Sequence, residues 1–376
     1  MKKINMVDLH GQYQRIKTEV DSAIQRVIDS AAYVKGPEVK TFESELANYL
    51  GVNHAIACAN GTDALQISLM ALGLKPGDEV ITPNFTFIST VEVAVLLGLK
   101  PVIADVEPGT FNIDIASVEK ALSPRSRAII PVHLFGQCAN MDEIMRIAKA
   151  NNLIVIEDVA QALSADYTGK SGETVKAGTM GQIGCTSFFP SKNLGCFGDG
   201  GAMFTNDKAL ADELAAITHH GMRKRYYYDT TGLNSRLDTL QAAILSVKLK
   251  YLDEYSRARS RAAGWYDKAL GGTRGISIPV RSPFSTHVFH QYTIRLEGIN
   301  REALQKHLEL KGIPAMIYYP FPVHLQKAFQ YLGYREGDFP VSEMLCKSVL
   351  SLPMHTELDE EQVNYIAGSI VEFVNF

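Results

Sequence analysis

The sequence predicts an α/β fold, with a largely parallel sheet covered by helices on both faces and a second, smaller domain after it. Three observations carry this. From Ala55 onward short apolar runs alternate with helix-like segments, as strand–helix units require. The apolar runs are nearly continuous, the mark of strands buried on both faces. At 376 residues the chain exceeds what one ordinary core needs.

Two helices lead. Ile16, Val20, Ile24 and Val27 repeat at helical spacing, and Val39, Phe42, Leu46 and Tyr49 do so again after the Gly36-Pro37 break. Strands follow at Ala55–Ala59, Val80–Thr82, Val102–Ala104, Ala128–Val132 and Leu153–Ile156. The helices between them cover Asp63–Leu72, Ser89–Leu97, Ile115–Leu122 and Met141–Asn151. Beyond the Gly-rich Gly195–Gly201 segment come a helix over Lys208–Thr218 and one long connecting helix from about Asp238 to Leu270. A strand at Phe289–Leu296 and helices at Arg301–Leu310 and Asp359–Phe373 close the chain. The domain change is expected near residue 250, giving domains of residues 1–250 and 251–376.

Composition narrows the function classes. With 46% apolar and 21% charged residues and a net charge of −4, the chain has no global attraction for nucleic acid or anionic lipid. Five scattered cysteines without a C-x-x-C pair argue against a disulfide framework and a zinc site. His219-His220 lacks the carboxylate or cysteine spacing of a metal site, and no metal is expected. No apolar leader follows Lys2-Lys3 and no run is long enough to span a bilayer, so a soluble, cytoplasmic protein is expected.

In open α/β sheets ligands gather beyond the carboxyl ends of the strands. Four places there draw attention. Asn60-Gly61-Thr62-Asp63 sits between a strand and a helix, where free N–H groups and the helix dipole favour a phosphate; an ordinary N-cap turn reads the same way. Asp158 ends an apolar run, where a carboxylate stays ionised if it faces a cation such as a protonated pyridine, or simply caps the next segment. Lys192, in Ser187-Phe188-Phe189-Pro190-Ser191-Lys192-Asn193, is flanked by aromatics and proline. To act as an amine near neutral pH it must fall from ~10.4 to roughly 7, about 4–5 kcal/mol, within the range of desolvation shifts; a solvated lysine is the alternative. The fourth, Arg223-Lys224-Arg225-Tyr226-Tyr227-Tyr228 with Asn234-Ser235-Arg236 after it, suits a diphosphate and a stacked ring, or is a solvated loop.

Taken in order, Asn-Gly-Thr-Asp-Ala-Leu, Pro-Gly-Asp-Glu-Val-Ile-Thr-Pro, Pro-Val-His-Leu-Phe-Gly, Glu-Asp-x-Ala-Gln-Ala, Ser-Phe-Phe-Pro-Ser-Lys-Asn-Leu-Gly and Asn-Ser-Arg-Leu-Asp-Thr-Leu-Gln-Ala-Ala closely resemble the DegT/DnrJ/StrS-type sugar-nucleotide aminotransferases. The resemblance runs from Val7 to Met354. It implies a fold-type I enzyme dependent on pyridoxal 5′-phosphate (PLP), with a large cofactor domain and a smaller C-terminal α+β domain. By position, Lys192 would bond the cofactor and shuttle the proton, and Asp158 would pair with the pyridine nitrogen. Phe87 and Gln161 would cover the two faces of the ring. Gly61, Thr62, Ser187 and an Asn234 donated by a partner subunit would hold the phosphate, which implies a homodimer. Arg236, Tyr318, Tyr319, His324 and Arg225 would meet the sugar nucleotide.

The implied reaction takes nitrogen from an amino acid, glutamate by resemblance, releases 2-oxoglutarate and aminates a keto sugar. Thr82-Pro83, Thr86–Thr90 and the Tyr-Tyr-Pro-x-Pro-x-His-Leu-Gln stretch are most similar to the branch that aminates C3 of UDP-2-acetamido-3-oxo-glucuronic acid for surface polysaccharide, lipopolysaccharide included. A dTDP-linked 3-keto-6-deoxyhexose or a 4-keto sugar is the alternative, since many relatives carry a histidine where this chain has Tyr228-Asp229. Three rivals remain. Related dehydratases replace the lysine by histidine, which Lys192 opposes. A regulator without catalysis would carry a DNA-binding segment, for which the chain has no room. A nicotinamide enzyme would need a G-x-G-x-x-G fingerprint, and Gly198-Asp199-Gly200-Gly201 has the wrong spacing.

Overall fold

The computed structural model describes residues 3–375. Met1, Lys2 and Phe376, which open and close the two expected domains, lie outside it.

Seven strands form the central sheet: β1 (His54–Cys58), β2 (Glu79–Pro83), β3 (Lys100–Ala104), β4 (Ser126–Ile129), β5 (Ile154–Asp158), β6 (Ile183–Ser187) and β7 (Gly201–Thr205). Their order is β1-β7-β6-β5-β4-β2-β3. β7 runs antiparallel to both its neighbours, and the other four pairings are parallel. Six strands therefore deliver their carboxyl ends to one edge.

Both faces are buried, as the apolar runs require. Ile81, Ile129, Val155 and Phe204 point into a core shared with Phe42, Leu46, Ile144 and Ile147 of the helices Pro37–Leu50 and Met141–Asn151. Their neighbours Val80, Ala128, Ile156 and Met203 point the other way, against Leu65, Leu69, Leu214 and Ile217 of Gly61–Ala71 and Lys208–Ile217. Period-two alternation thus divides single strands between two cores.

The expected helix and strand positions match within a few residues; the helix Pro340–Ser348 and the strand Val349–Leu352 were not expected, and two further differences concern the central sheet and the connecting helix. β6 and β7 had no apolar run to betray them. Packing explains their small residues: a Cβ on Gly184 would lie 2.1 Å from the Phe204 ring and one on Gly201 2.4 Å from the Asn60 backbone. The long connecting helix is in fact two, Thr239–Leu249 and Leu252–Leu270. Leu245 and Leu249 belong to the central core, whereas Ala262, Tyr266 and Leu270 belong to another. The chain bends at Lys250-Tyr251 as it passes between them.

That second core lies under an antiparallel sheet of Ile276–Ser277, Tyr292–Leu296 and Val349–Leu352, covered by Leu252–Leu270, Arg301–Leu310 and Glu360–Asn375. Ile4, from the start of the chain, packs into it, and the Met354 N–H donates to the Met6 carbonyl at 3.2 Å. The strand starts at Tyr292 instead of Phe289, because Phe289 adopts φ +46° and turns His290 toward the central sheet. Left-handed backbone at a bulky residue is costly and needs support. Buried Arg259 supplies it, its Nη1 donating to the carbonyls of Phe289 (3.1 Å), His290 (3.3 Å) and Met354 (3.0 Å).

Arg259→Met leaves those carbonyls without their donor. Urea unfolding of this variant is expected to show stability lower by about 2–4 kcal/mol.

Candidate active site

The carboxyl ends of β1, β5 and β6 meet at a cavity of about 860 Å³, closed by the loop after β2, the Lys192 turn, His290-Gln291 and Ile317–Pro320. β5 is carried to its end by hydrogen bonds from the Asp158 N–H to the Pro131 carbonyl and from the His133 N–H to the Asp158 carbonyl, both 2.9 Å. Consecutive residues on a strand face opposite ways. Glu157 turns from the cavity and accepts from His133 Nε2 (2.9 Å) and the N–H groups of Gly178, Met180 and Gly181. Asp158 turns into it, 6% exposed, accepting from the Ala160 N–H at 3.0 Å. Burial raises its pKa, while the Ala160 N–H and the Lys192 charge oppose the rise.

Lys192 lines the same cavity on a turn closed by its own N–H donating to the Phe189 carbonyl at 2.9 Å. Burial pushes its amine down to about 8, with the Asp158 charge working the other way. Desolvation thus carries the amine most of the way toward the roughly 7 expected from sequence and leaves it near 8.

Gly61 and Thr62 begin the helix Gly61–Ala71 at the cavity wall. The Asn60 side chain caps the Asp63 N–H at 2.8 Å, and no helical carbonyl precedes the N–H groups of Gly61 and Thr62. Ser187, at the end of β6, stands so close that a Cβ on Gly61 would lie 2.7 Å from its Cβ. Free N–H groups, a helix start and two hydroxyls make a cradle for an anion.

Phe87, 55% exposed, stands at the cavity with its ring 6.4 Å from that of Tyr319. Gln161 is oriented by two bonds, its Oε1 accepting from the Phe135 N–H (2.8 Å) and its Nε2 donating to the Tyr319 hydroxyl (3.1 Å). Tyr318 also lines the wall. Four residues singled out from sequence do not. His324 is buried below: Asn84 Nδ2 lies 2.9 Å from its Nδ1, Asn84 Oδ1 accepts its backbone N–H, and a Glu343 oxygen lies 3.2 Å from its Nε2. Its ring braces the Asn84–Phe87 loop from behind. Arg225 lies on the exposed hairpin of Met222–Lys224 and Tyr227–Tyr228, beside the Tyr226 ring. Asn234 is exposed and bridges to His219, and Arg236 Nη1 is 3.5 Å from His219 Nδ1.

Among the described residues, three buried polar atoms of the wall have no hydrogen-bond partner: Thr86 Oγ1, Thr186 Oγ1 and His290 Nδ1. Sequence reading missed all three. Buried polar groups are seldom left unpaired, so a polar ligand fits here. The sites of an anion cradle, a carboxylate, a poised amine and an exposed aromatic ring together suit a phosphorylated heteroaromatic aldehyde. Among the described residues, no group of three or more His, Cys, Asp or Glu converges as a metal site would, and no helix is long and apolar enough to cross a membrane.

The model of the DegT/DnrJ/EryC1/StrS aminotransferase family matches residues 14–371. The chain belongs to this family. It is 45% identical to a Pseudomonas aeruginosa protein named UDP-2-acetamido-2-deoxy-3-oxo-D-glucuronate aminotransferase, over 98% of this chain and 99% of the other. It is 46% identical, over 98% of each chain, to a Geobacillus stearothermophilus protein named pleiotropic regulatory protein. Among solved structures, Streptomyces venezuelae DesV in complex with a ketimine intermediate superposes with a TM-score of 0.95 at 39% identity, covering 100% of both chains. Bacillus subtilis NtdA with bound cofactor PMP does so with 0.85 at 31% identity, over 94% of this chain and 82% of that one. The α/β fold and the aminotransferase class expected from sequence both hold.

A Lys192 amine with a pKa near 8 reacts with carbonyl reagents at a rate that rises with pH through about 8. Because the Asp158 charge raises that value, Asp158→Asn is expected to move the midpoint to lower pH. Reductive trapping of Lys192 across a pH series, read by peptide mass spectrometry, measures both.

Proposed function

We propose that this aminotransferase uses PLP to move an amino group from glutamate to C3 of UDP-2-acetamido-3-oxo-glucuronate, for surface polysaccharide. The observation that carries the reading is the Lys192 amine, lowered to about 8, across one cavity from Asp158 and beside an anion cradle. The name of the P. aeruginosa relative supports the sugar, and that of NtdA's bound cofactor supports the vitamin B6 chemistry. PLP supplies an electron sink that stabilises negative charge at the carbon losing its proton.

The chain's own residues do the rest. Gly61, Thr62 and Ser187 bind the phosphate through N–H and hydroxyl donors. The Asp158 carboxylate would hold a proton on the ring nitrogen by its charge. Phe87 and Gln161 confine the ring and exclude water. Lys192 Nζ would hold the cofactor covalently, and its amine would accept and return the proton at the substrate carbon. Tyr318 and Tyr319 face the sugar. Arg225, Arg236 and Asn234 lie outside their own chain's cavity, and we assign them to the site of a partner subunit in a homodimer, the partner subunit's Asn234 meeting the phosphate. His324 is assigned to bracing the Asn84–Phe87 loop. We further propose a cytoplasmic location and a domain division near residue 250, with the first residues of the chain joining the C-terminal core.

The G. stearothermophilus relative's name favours a second reading, regulation. A desolvated amine opposite a buried carboxylate favours turnover, because sensing alone needs no proton carrier.

A panel of amino-sugar nucleotides run in reverse with 2-oxoglutarate tests the proposal. Consumption of the UDP-linked 3-amino uronic acid alone is expected, and consumption of a dTDP-linked or 4-amino sugar instead would refute the assigned sugar. Lys192→Ala should lower turnover at least about 100-fold. Mixing inactive Lys192→Ala and Asn234→Ala chains should restore about a quarter of wild-type activity, since half the dimers then hold one intact shared site. No restoration would refute the shared site.

A further inference from the structure

Lys248 lies near the end of the helix Thr239–Leu249 and is 2% exposed. The titrating or charged groups around it are Cys196 and Arg259. Burying an ammonium without a countercharge is costly, so its remaining partners matter. They are the Gly195 carbonyl, which accepts from Lys248 Nζ at 2.5 Å, and the Phe197 ring, 5.7 Å away.

Gly195 closes the turn that carries Lys192. A Cβ on Gly195 would lie 2.3 Å from the Pro190 carbonyl oxygen, so the two ends of the turn are in contact. Asn193 Nδ2 donates to the Val288 carbonyl at 3.0 Å, and the Cys196 N–H to the Phe188 carbonyl at 2.8 Å. The same helix grips the far side, where Gln241 Oε1 accepts from the Phe197 N–H at 2.8 Å. Gln241 and Lys248, two turns apart, share one helix face. Both grip the backbone that follows Lys192.

We propose that Lys248 is a positioning residue for Lys192: its Nζ, by donating to the Gly195 carbonyl, fixes the Pro190–Gly195 turn that aims the Lys192 amine into the cavity. It acts through the backbone, since the charge that bears on the Lys192 amine is that of Asp158. A methionine would fill the same space but could not hold the carbonyl. The inference rests on reading Lys192 as the residue that bonds PLP.

The test follows the condensation of the Lys192 amine with the aldehyde of added PLP, one water leaving, in the full-length chain. Visible absorption gives the rate, and borohydride reduction with peptide mass spectrometry confirms the lysine. Lys248→Met should slow bonding by about tenfold or more, while the equilibrium uptake of PLP into the anion cradle is retained; Lys248→Arg, which keeps a donor, should recover most of the rate. A merely structural lysine predicts a lower Tm with bonding at the wild-type rate below it, and that result would overturn the proposal. Should Lys248→Met fail to fold, Gln241→Leu removes the second grip of the same helix; slowed bonding supports the proposal and an unchanged rate overturns it. If wild type itself forms no adduct at Lys192, the functional reading fails and the proposal with it, an outcome the wild-type arm identifies alone.

Discussion

Two successive carboxylates at the buried end of one strand, Glu157 and Asp158, are the constraint on which the site depends. Neither can stay charged there without compensation. Glu157 obtains it in full from three backbone N–H groups and His133, whose Nδ1 accepts from the Ala139 N–H and so leaves a hydrogen on Nε2 for the carboxylate. That network nails the strand end to the Gly178–Gly181 turn and to the segment after β4. Asp158, facing the other way, receives one N–H bond at 3.0 Å, a long 3.5 Å bond from the Thr90 hydroxyl and the charge of Lys192. The strand end is thus held rigid on one face and left under-compensated on the other. A cation placed in the cavity gains what Asp158 lacks.

Much of this was legible beforehand, for identifiable reasons. Five of the seven central strands announce themselves because strands buried on both faces must be apolar. β6 and β7 do not, since contact with Phe204 and the Asn60 backbone requires glycine at positions 184 and 201, and glycine carries no strand propensity. The bend at Tyr251 was hidden because both helices it separates have good helix formers, and only the change of core separates them. Asp158 and Lys192 were legible through motif and chemistry. His290 was not: it enters by a left-handed turn at Phe289 that Arg259 holds from below, and neither residue bears any local mark of that contact. His324 misled in the opposite sense, its place beside a cavity-lining tyrosine pair concealing that its ring is spent on Asn84.

The cavity draws on both cores. The central sheet supplies Asp158, Ser187 and the helix start at Gly61, and the segments bordering the second core supply His290 and Tyr318–Pro320. Tyr319 joins the two by hydrogen bonding to Gln161 and packing on Phe85. Any relative movement of the two cores therefore alters the wall facing Lys192, which gives the rigid tether at Arg259 a role in keeping the site shaped as well as in stability.

Charge makes the strongest argument that one chain's cavity is incomplete. Its lining includes the carboxylates Asp63, Asp158 and Asp199 against the amine of Lys192. A phosphorylated cofactor and a nucleotide diphosphate would bring several more negative charges, and N–H donors alone offset such charge poorly when water is excluded. The chain does carry further cations away from this cavity: Arg225 on an exposed hairpin and the half-buried Arg236 near Lys35 and His219. Exposed Tyr226, Tyr227 and Tyr228 accompany them. Aromatic rings and arginines held on a projecting strand pair are well suited to a neighbour's cavity, where a diphosphate and a base need what that cavity does not itself contain. The deficit inside and the surplus outside match in sign and kind, which is the physical support for the proposed pairing of two copies of this chain.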